Sequence, residues 1–241
     1  MKEGLKALVT GASGAIGSAV ALELARRGVD VALHYNTNVD KTKTLVDEIK
    51  SMGRNVSAIK ANIADVRQIK DMVQTVVRDL GKLNLLVHCA ATFNKSPFGE
   101  VTEEIFDKEM AINLKAAFFL SQEAARVMTD GGRMIFMSDV ASAKPYTGYL
   151  PYCMAKSATE TMVKALAKKF APRICVNAIA PYMVTRPSFL SDAGFNDMIS
   201  KTPARRLSPP EEIAALVIYL ADASPSLTGQ IIVVDGGRML R

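Results

Sequence analysis

The feature that most limits what this chain can fold into is an alternation along its length. Short apolar runs rich in Val, Ile and Leu are separated by longer segments of helical period. Such runs, continuously apolar rather than alternating, read as strands buried on both faces, the condition of a parallel sheet built from repeated β-α units. They lie near 5–10, 31–35, 56–60, 83–89, 133–137, 174–179 and 230–234. Between them, Val66, Ile69, Met72, Val73, Val76, Val77 and Leu80 recur at helical spacing and stop at Gly81, a C-terminal cap. Further helices are expected near 16–27, 39–51, 102–128, 152–170 and 210–221. The 241 residues are enough for one large domain with a sizeable core. The expected fold is therefore α/β: one domain over 1–241, a doubly wound, seven-stranded parallel sheet with helices on both faces. Only Ser188 to Pro210 breaks the alternation, with Pro, Gly, Ser and Asp, and it is expected to cover a site.

The first strand runs into Gly11-Ala12-Ser13-Gly14-Ala15-Ile16-Gly17 and then a helix, with glycines spaced G-x-x-G-x-x-G. A turn of this kind presents free backbone N–H groups and the positive end of a helix dipole to a pyrophosphate, and glycines permit close approach. The same turn also serves as a tight packing turn without a ligand. Sites that prefer NAD usually place an acid near the end of the second strand. That region here is His34-Tyr35-Asn36-Thr37-Asn38, with no carboxylate to repel a 2′-phosphate, and Lys41 and Lys43 follow. NADPH is thereby favoured over NADH. His34 and His88 fall in strands and read as packing residues.

Tyr152 and Lys156 lie four apart on an expected helix, so both point from one face. Moving a phenol pKa from ~10 to near 7 requires about 4 kcal/mol of preference for the anion. One ammonium at ~4 Å supplies that at an effective dielectric of ~20.

Composition narrows the function classes. The net charge of +6 comes from dispersed Lys and Arg rather than a basic stripe, which argues against nucleic acid. No apolar run approaches the ~18 residues of a membrane helix, and Met1-Lys2-Glu3-Gly4 leads into a strand rather than a signal peptide, so a cytoplasmic protein is expected. Cys89, Cys153 and Cys175 have no metal-ligand spacing and sit in apolar segments, so neither a disulfide nor a metal site is expected.

As a set, these motifs resemble the short-chain dehydrogenase/reductase family over nearly the whole length. Thr10 to Gly17 is similar to its T-G-x-x-x-G-I-G turn, Asn62-Ile63 to the Asp-Val pair beside adenine, and Asn113 to its helix asparagine. Tyr152 and Lys156 match its Y-x-x-x-K, Asn177 to Pro181 its N-x-x-x-P segment, and Asp235-Gly236-Gly237 its C-terminal turn. The resemblance implies a Rossmann-like fold with a dinucleotide-binding half at about 1–130 and a catalytic and substrate part at about 131–241. It implies NADP contacts from Gly11, Ser13, Ala15, Ile16, Gly17, Asn36, Thr37, Asn62, Ile63, Ala90, Tyr152, Lys156, Pro181 and Val184. It also implies Tyr152 as proton donor, Asn113 supporting a water chain to Lys156, and a homotetramer paired through the helices at 102–128 and 152–170.

Departures sharpen the reading. The family's N-N-A-G segment is His88-Cys89-Ala90-Ala91, and Tyr182 replaces the glycine after the proline. Thirteen residues before Tyr152, where the family places a serine, stands Asp139, with Ser138 one position early. An ionised Asp139 would raise the phenol pKa and keep Tyr152 a neutral donor, and a partly protonated one would share or relay the proton. An Asp-Tyr-Lys set, Phe93 and the ending Asp235 to Arg241 resemble the pteridine and dihydromonapterin reductases. That subgroup implies a pterin stacked on Phe93 beside Tyr182, and a tail whose Arg238 or Arg241 reaches a neighbouring subunit's substrate. Ser13 departs from it, since that subgroup has an arginine there. The alternative is reduction of a 3-oxoacyl thioester or another carbonyl on the same scaffold. A regulator that binds cofactor without chemistry is opposed by the intact Asn113, Tyr152 and Lys156.

Overall fold

The computed structural model of the chain describes residues 4–187 and 190–240. Seven strands, β1 (Lys6–Thr10), β2 (Asp30–Tyr35), β3 (Val56–Lys60), β4 (Leu83–His88), β5 (Met128–Met137), β6 (Ile174–Pro181) and β7 (Ile231–Val234), form one sheet in the order β3-β2-β1-β4-β5-β6-β7. Every neighbouring pair is parallel. Eight α-helices connect them: α1 (Ala15–Arg26), α2 (Val39–Ser51), α3 (Val66–Leu80), α4 (Glu103–Met110), α5 (Ala116–Val127), α6 (Leu150–Phe170), α7 (Asp192–Ser200) and α8 (Pro210–Asp222). This is the expected doubly wound Rossmann-like domain.

Successive strand residues feed opposite faces. Leu8, Leu86, Met134, Phe136 and Val176 pack with α3, α5 and α6 in one buried cluster. Ala7, Val9, Val31, Leu33, Val87 and Ile135 pack with α1, α2 and α8 in the other. Because both faces are covered, the central strands cannot keep a polar side, which is why their runs are continuously apolar, whereas the edge strand β3 carries Ser57 and an exposed Lys60. Helix ends follow local chemistry as well. The Asp65 carboxylate accepts from the Arg67 N–H at the start of α3, and Gly81 closes that helix at φ 83°.

The expected long helix over 102–128 is two helices. Thr102 caps α4 through the Ile105 N–H, and a single π-helical turn over Ala111–Lys115 joins it to α5. The chain then becomes extended at Met128, whose pairing with Leu83 is followed by a register jump to Leu85 with Arg133. Thr129, Asp130, Gly131 and Gly132 thereby find no partner in β4, with Gly131 at φ 83°, although Gly132 pairs with Ile174 of β6. Only the part from Arg133 carries the apolar signal that marks a strand in the sequence.

β1 and β4 are adjacent while their following helices cover opposite faces, which opens a crevice at their carboxyl ends, the usual ligand position in such sheets.

Candidate active site

Two cavities open along this crevice. The smaller, about 310 Å³, is lined by Gly11, Ser13, Asn36, Thr37, Asn62, Ile63 and Ala90, among others, so it gathers most of the predicted adenine-end residues. Glycine is required in its floor for steric reasons. A methyl group at Gly17 would lie 2.3 Å from the Gly11 carbonyl oxygen, and one at Gly11 would lie 2.7 Å from Ala90 Cα. Gly11 also has φ 65°. The turn is thus a tight packing turn as well as a candidate cradle. α1 starts at Gly14 with no side-chain cap, leaving its first N–H groups for an anion. Gly17 itself is buried beneath the turn, and Ala15 is exposed at the helix start and lines neither cavity.

His34 is more than a packing residue. Its Nδ1 accepts from the Gly11 N–H at 3.1 Å and its Nε2 stands 3.0 Å from the Ala61 carbonyl oxygen. That pairing fixes the tautomer with the proton on Nε2. Burial lowers its pKa, in keeping with a neutral ring that ties the glycine turn to the end of β3. His88 is likewise a hydrogen-bonded strut, 2.7 Å from Thr10 Oγ1, with a pKa pushed down to about 3 by burial.

The larger cavity, about 770 Å³, brings Ile16, Phe93, Asp139, Tyr152, Lys156, Pro181, Tyr182 and Val184 together with Tyr146 and Tyr149. α6 places Tyr152 and Lys156, and the turn after β5 places Asp139. The Tyr152 hydroxyl donates to Asp139 Oδ2 at 2.8 Å, and Asp139 Oδ1 accepts from the Ala141 N–H at 2.8 Å. Ser138 turns away, donating to Glu160 Oε1 at 2.7 Å, an oxygen that also accepts from Ser142. The thirteen-residue spacing thus picks the residue that meets the phenol.

Electrostatics follow from burial. The Tyr152 phenol is pushed well above its usual value by desolvation and then by the Asp139 carboxylate. Asp139 is raised by its own burial, against the pull of the Ala141 N–H, Tyr152 and Lys156. Lys156 is lowered to about 8 by burial, with Asp139 opposing. The expectation that the ammonium lowers the phenol is corrected. Lys156 Nζ donates to the Met137 carbonyl at 2.7 Å and stands 5.5 Å from the Tyr152 ring centre, too far and too engaged to offset desolvation. The expected neutral phenol results.

Asn113 is buried in the π-helical turn, where it does not touch Lys156. Its Oδ1 accepts from the Thr92 N–H, and its Nδ2 lies within 3.1 Å of both Thr92 oxygens and 2.8 Å from Glu109 Oε2. Asn94 reaches the other Glu109 oxygen at 2.5 Å. Glu109 and Asn113 therefore bracket the segment carrying Phe93. The π turn that aims Asn113 leaves no mark in the apolar periodicity, and Glu109 reads from sequence as one more surface acid.

Phe93 does line the cavity, but its ring already stacks on Tyr149, with centres 4.1 Å apart and planes at 1°. It meets Tyr152 edge-on at 4.8 Å. Tyr146 and Tyr149 could have been picked only as aromatics close in sequence to Tyr152. The expected covering segment contributes less than foreseen. Ser188 and Phe189 lie outside the described residues, and among the described ones the lining ends at Pro187. α7 is held elsewhere by Arg186, which pairs with Asp192 and stacks on Phe195. Arg238, expected near a neighbouring subunit, lies over Tyr182 of its own chain at 5.7 Å, while Arg241 is outside the described residues.

Residues 11–238 match a family profile described as Enoyl-(Acyl carrier protein) reductase. The 3-oxoacyl-[acyl-carrier-protein] reductase FabG of Staphylococcus aureus is 35% identical over 243 residues, spanning 98% of this chain and 99% of that protein. A crystal structure of a short-chain dehydrogenase from Burkholderia cenocepacia in complex with NADP superposes with a TM-score of 0.93 at 30% identity, covering 98% of each chain. This chain belongs to the short-chain dehydrogenase/reductase family of oxidoreductases. Within that family it is also 33% identical to a hydroxynaphthalene reductase-like protein of Metarhizium brunneum, over 97% of this chain and 94% of that protein. Neither named relative is a pteridine reductase, so the family expectation holds and the pterin subgroup loses its support.

Proposed function

We propose that this chain is an NADPH-dependent carbonyl reductase whose leading substrate class is the 3-oxoacyl thioesters. The observation that carries carbonyl reduction is the Tyr152 phenol, protonated and hydrogen-bonded to Asp139, inside an apolar cavity with Lys156 behind it. The substrate class is supported by the relative that aligns end to end.

The residues present fit NADPH. Gly11, Gly17 and the uncapped start of α1 form a close-approach cradle for a pyrophosphate, and Ser13, Ala15 and Ile16 extend it. Asn36 and Thr37, free of any carboxylate neighbour from His34 to Asn38, admit a 2′-phosphate, and Asn62, Ile63 and Ala90 flank the adenine end. Pro181 and Val184 would flank the nicotinamide. When bound, NADPH supplies the hydride.

The chain's own residues handle the proton. With Asp139 ionised, the phenol donates to it and keeps its proton in the resting site. With Asp139 protonated, which its raised pKa favours, the carboxyl donates to the phenol oxygen and the Tyr152 proton is free for the carbonyl oxygen. Hydride on carbon and this proton on oxygen complete the alcohol, and Asp139 restores Tyr152. Lys156, held by the Met137 carbonyl at the cavity floor, would hold the cofactor through its charge, and Asn113 with Glu109 holds the Phe93 wall.

A second reading, a flat cyclic ketone, is favoured by the wall of Phe93, Tyr146 and Tyr149 and fits the naphthalene-related relative. A homotetramer is part of the proposal. Phe118 of α5 is about half exposed beside an open groove between α4 and α5, which supports self-association, measurable by light scattering. NADPH oxidation with acetoacetyl thioesters, cyclic aryl ketones and dihydropterins tests the reading. Fastest turnover of the thioester is expected, and turnover of dihydropterin alone would overturn it.

A further inference from the structure

The edge of the larger cavity carries hydrogen-bond donors that nothing among the described residues uses. Arg238 stacks on Tyr182, 5.7 Å from the ring centre, and is half-buried. Among the described residues, its guanidinium has no ion pair and no hydrogen bond. The hydroxyls of Tyr146 and Tyr182, both of which line the cavity, also have none. A half-buried arginine fork with five donors, beside phenols that can also donate, is a costly arrangement in water and a favourable one around an anion. The Arg238 charge acts on the Tyr146 hydroxyl and lowers its otherwise raised pKa, which places the two groups in one electrostatic neighbourhood. Asp139, the one carboxylate among the described residues lining the cavity, already accepts from Tyr152 and Ala141.

The position of Arg238 is built rather than incidental. Asp235 accepts from the N–H groups of Gly237 at 2.8 Å and Met239 at 2.6 Å, which folds the turn around Arg238. The Ala204 N–H donates to the Gly236 carbonyl at 2.9 Å, and a methyl group on Gly236 would lie 2.9 Å from Thr202. The segment after α7 thus clamps the C-terminal turn in place, with Arg238 held over a cavity-lining ring.

We propose that Arg238, Tyr146 and Tyr182 form an anion subsite at the edge of the cavity, so that the preferred substrate carries a carboxylate or phosphate at the end remote from its carbonyl. This deepens the carbonyl-reductase reading and rests on it. The subsite orients the substrate with its carbonyl toward Tyr152, and a neutral analogue of the same shape forfeits that orientation.

Three aldehydes of common shape test it with NADPH: 4-formylbenzoate, 4-formylphenyl phosphate and methyl 4-formylbenzoate. The proposal expects kcat/KM for one of the anions to exceed that of the ester roughly tenfold or more, the range of one charge-assisted hydrogen bond. Which anion leads distinguishes a carboxylate from a phosphate source. Arg238→Gln should erase most of that preference and Arg238→Lys should restore part of it. Equal values for all three aldehydes, or an anion preference untouched in Arg238→Gln, would overturn the subsite. If no aldehyde is turned over, the carbonyl reading fails, and calorimetry on NADP-loaded protein decides the subsite separately. Binding of 4-(hydroxymethyl)benzoate that is lost in Arg238→Gln supports it, and binding that is unchanged or absent in the unaltered protein refutes it.

Discussion

The two cavities along the carboxyl edge of the sheet are shaped by different means. The smaller one rests on a main-chain floor, where Gly11 and Gly17 leave no room for a Cβ and His34 ties the turn down. The larger is walled by rings and long side chains from separate loops, with Phe93 on Tyr149, Tyr146 edge-on and Arg238 over Tyr182. Main-chain walls tolerate no added atom, whereas side-chain walls can re-pack. The chain is therefore expected to be strict toward its cofactor and adjustable toward its substrate.

The contrast is broken most directly at Gly17. Gly17→Ala forces a methyl group against the Gly11 carbonyl, so the turn must open. NADPH binding measured by calorimetry should weaken about ten- to hundredfold, the effect of ~1–3 kcal/mol of overpacking. Undiminished binding would show that this floor is softer than its geometry implies.

A smaller effect is expected from pH. Lys156 holds its charge below about 8 and loses it above, a value depressed from 10.5 by burial. Tyr152, raised well above its usual value, stays protonated through that range, and Cys89 at about 12 and His88 at about 3 do not change charge there. Above pH ~8, kcat/KM for reduction should fall toward tenfold per unit. Lys156→Arg, which keeps the charge, should move that limb upward; an unmoved limb would assign it to another group.

The smallest effect should come from the adjustable wall. Phe93→Ala removes the partner of Tyr149 and is expected to raise substrate KM several-fold, with NADPH binding within about twofold of the parent. Equal losses for both ligands would mean that the two cavities are one mechanical unit.

What was legible in the sequence follows the same division. The strands, the Gly81 cap and the glycine turn are written in local patterns, because backbone conformation and two-sided burial dictate residue type directly. The Tyr152, Lys156 and Asp139 spacing survives because one helix and one turn fix it. The contacts of Asn113 are not legible, since its partners Thr92 and Glu109 are set by a π turn that shifts the helical register. His34 reads from the sequence as a packing residue only, because its hydrogen-bond partner Gly11 is twenty-three residues away, across a strand pairing. The stack of Phe93 on Tyr149 joins two loops far apart in the chain, and no periodicity reports such a meeting.

The central claim is that Asp139, and not Ser138, is the third member of the proton-handling set. The most direct test is the pH profile of kcat for reduction in Asp139→Asn and Ser138→Ala, measured with the best substrate. Asp139→Asn keeps the shape but cannot pass a proton, so kcat should fall roughly a hundredfold, within the range of general acid catalysis, and the profile should lose one ionisation. Ser138→Ala, which leaves Glu160 its hydrogen bond from Ser142, should stay within about threefold of the parent with its profile intact. An unaltered kcat and profile in Asp139→Asn, with activity abolished in Ser138→Ala, would contradict the account.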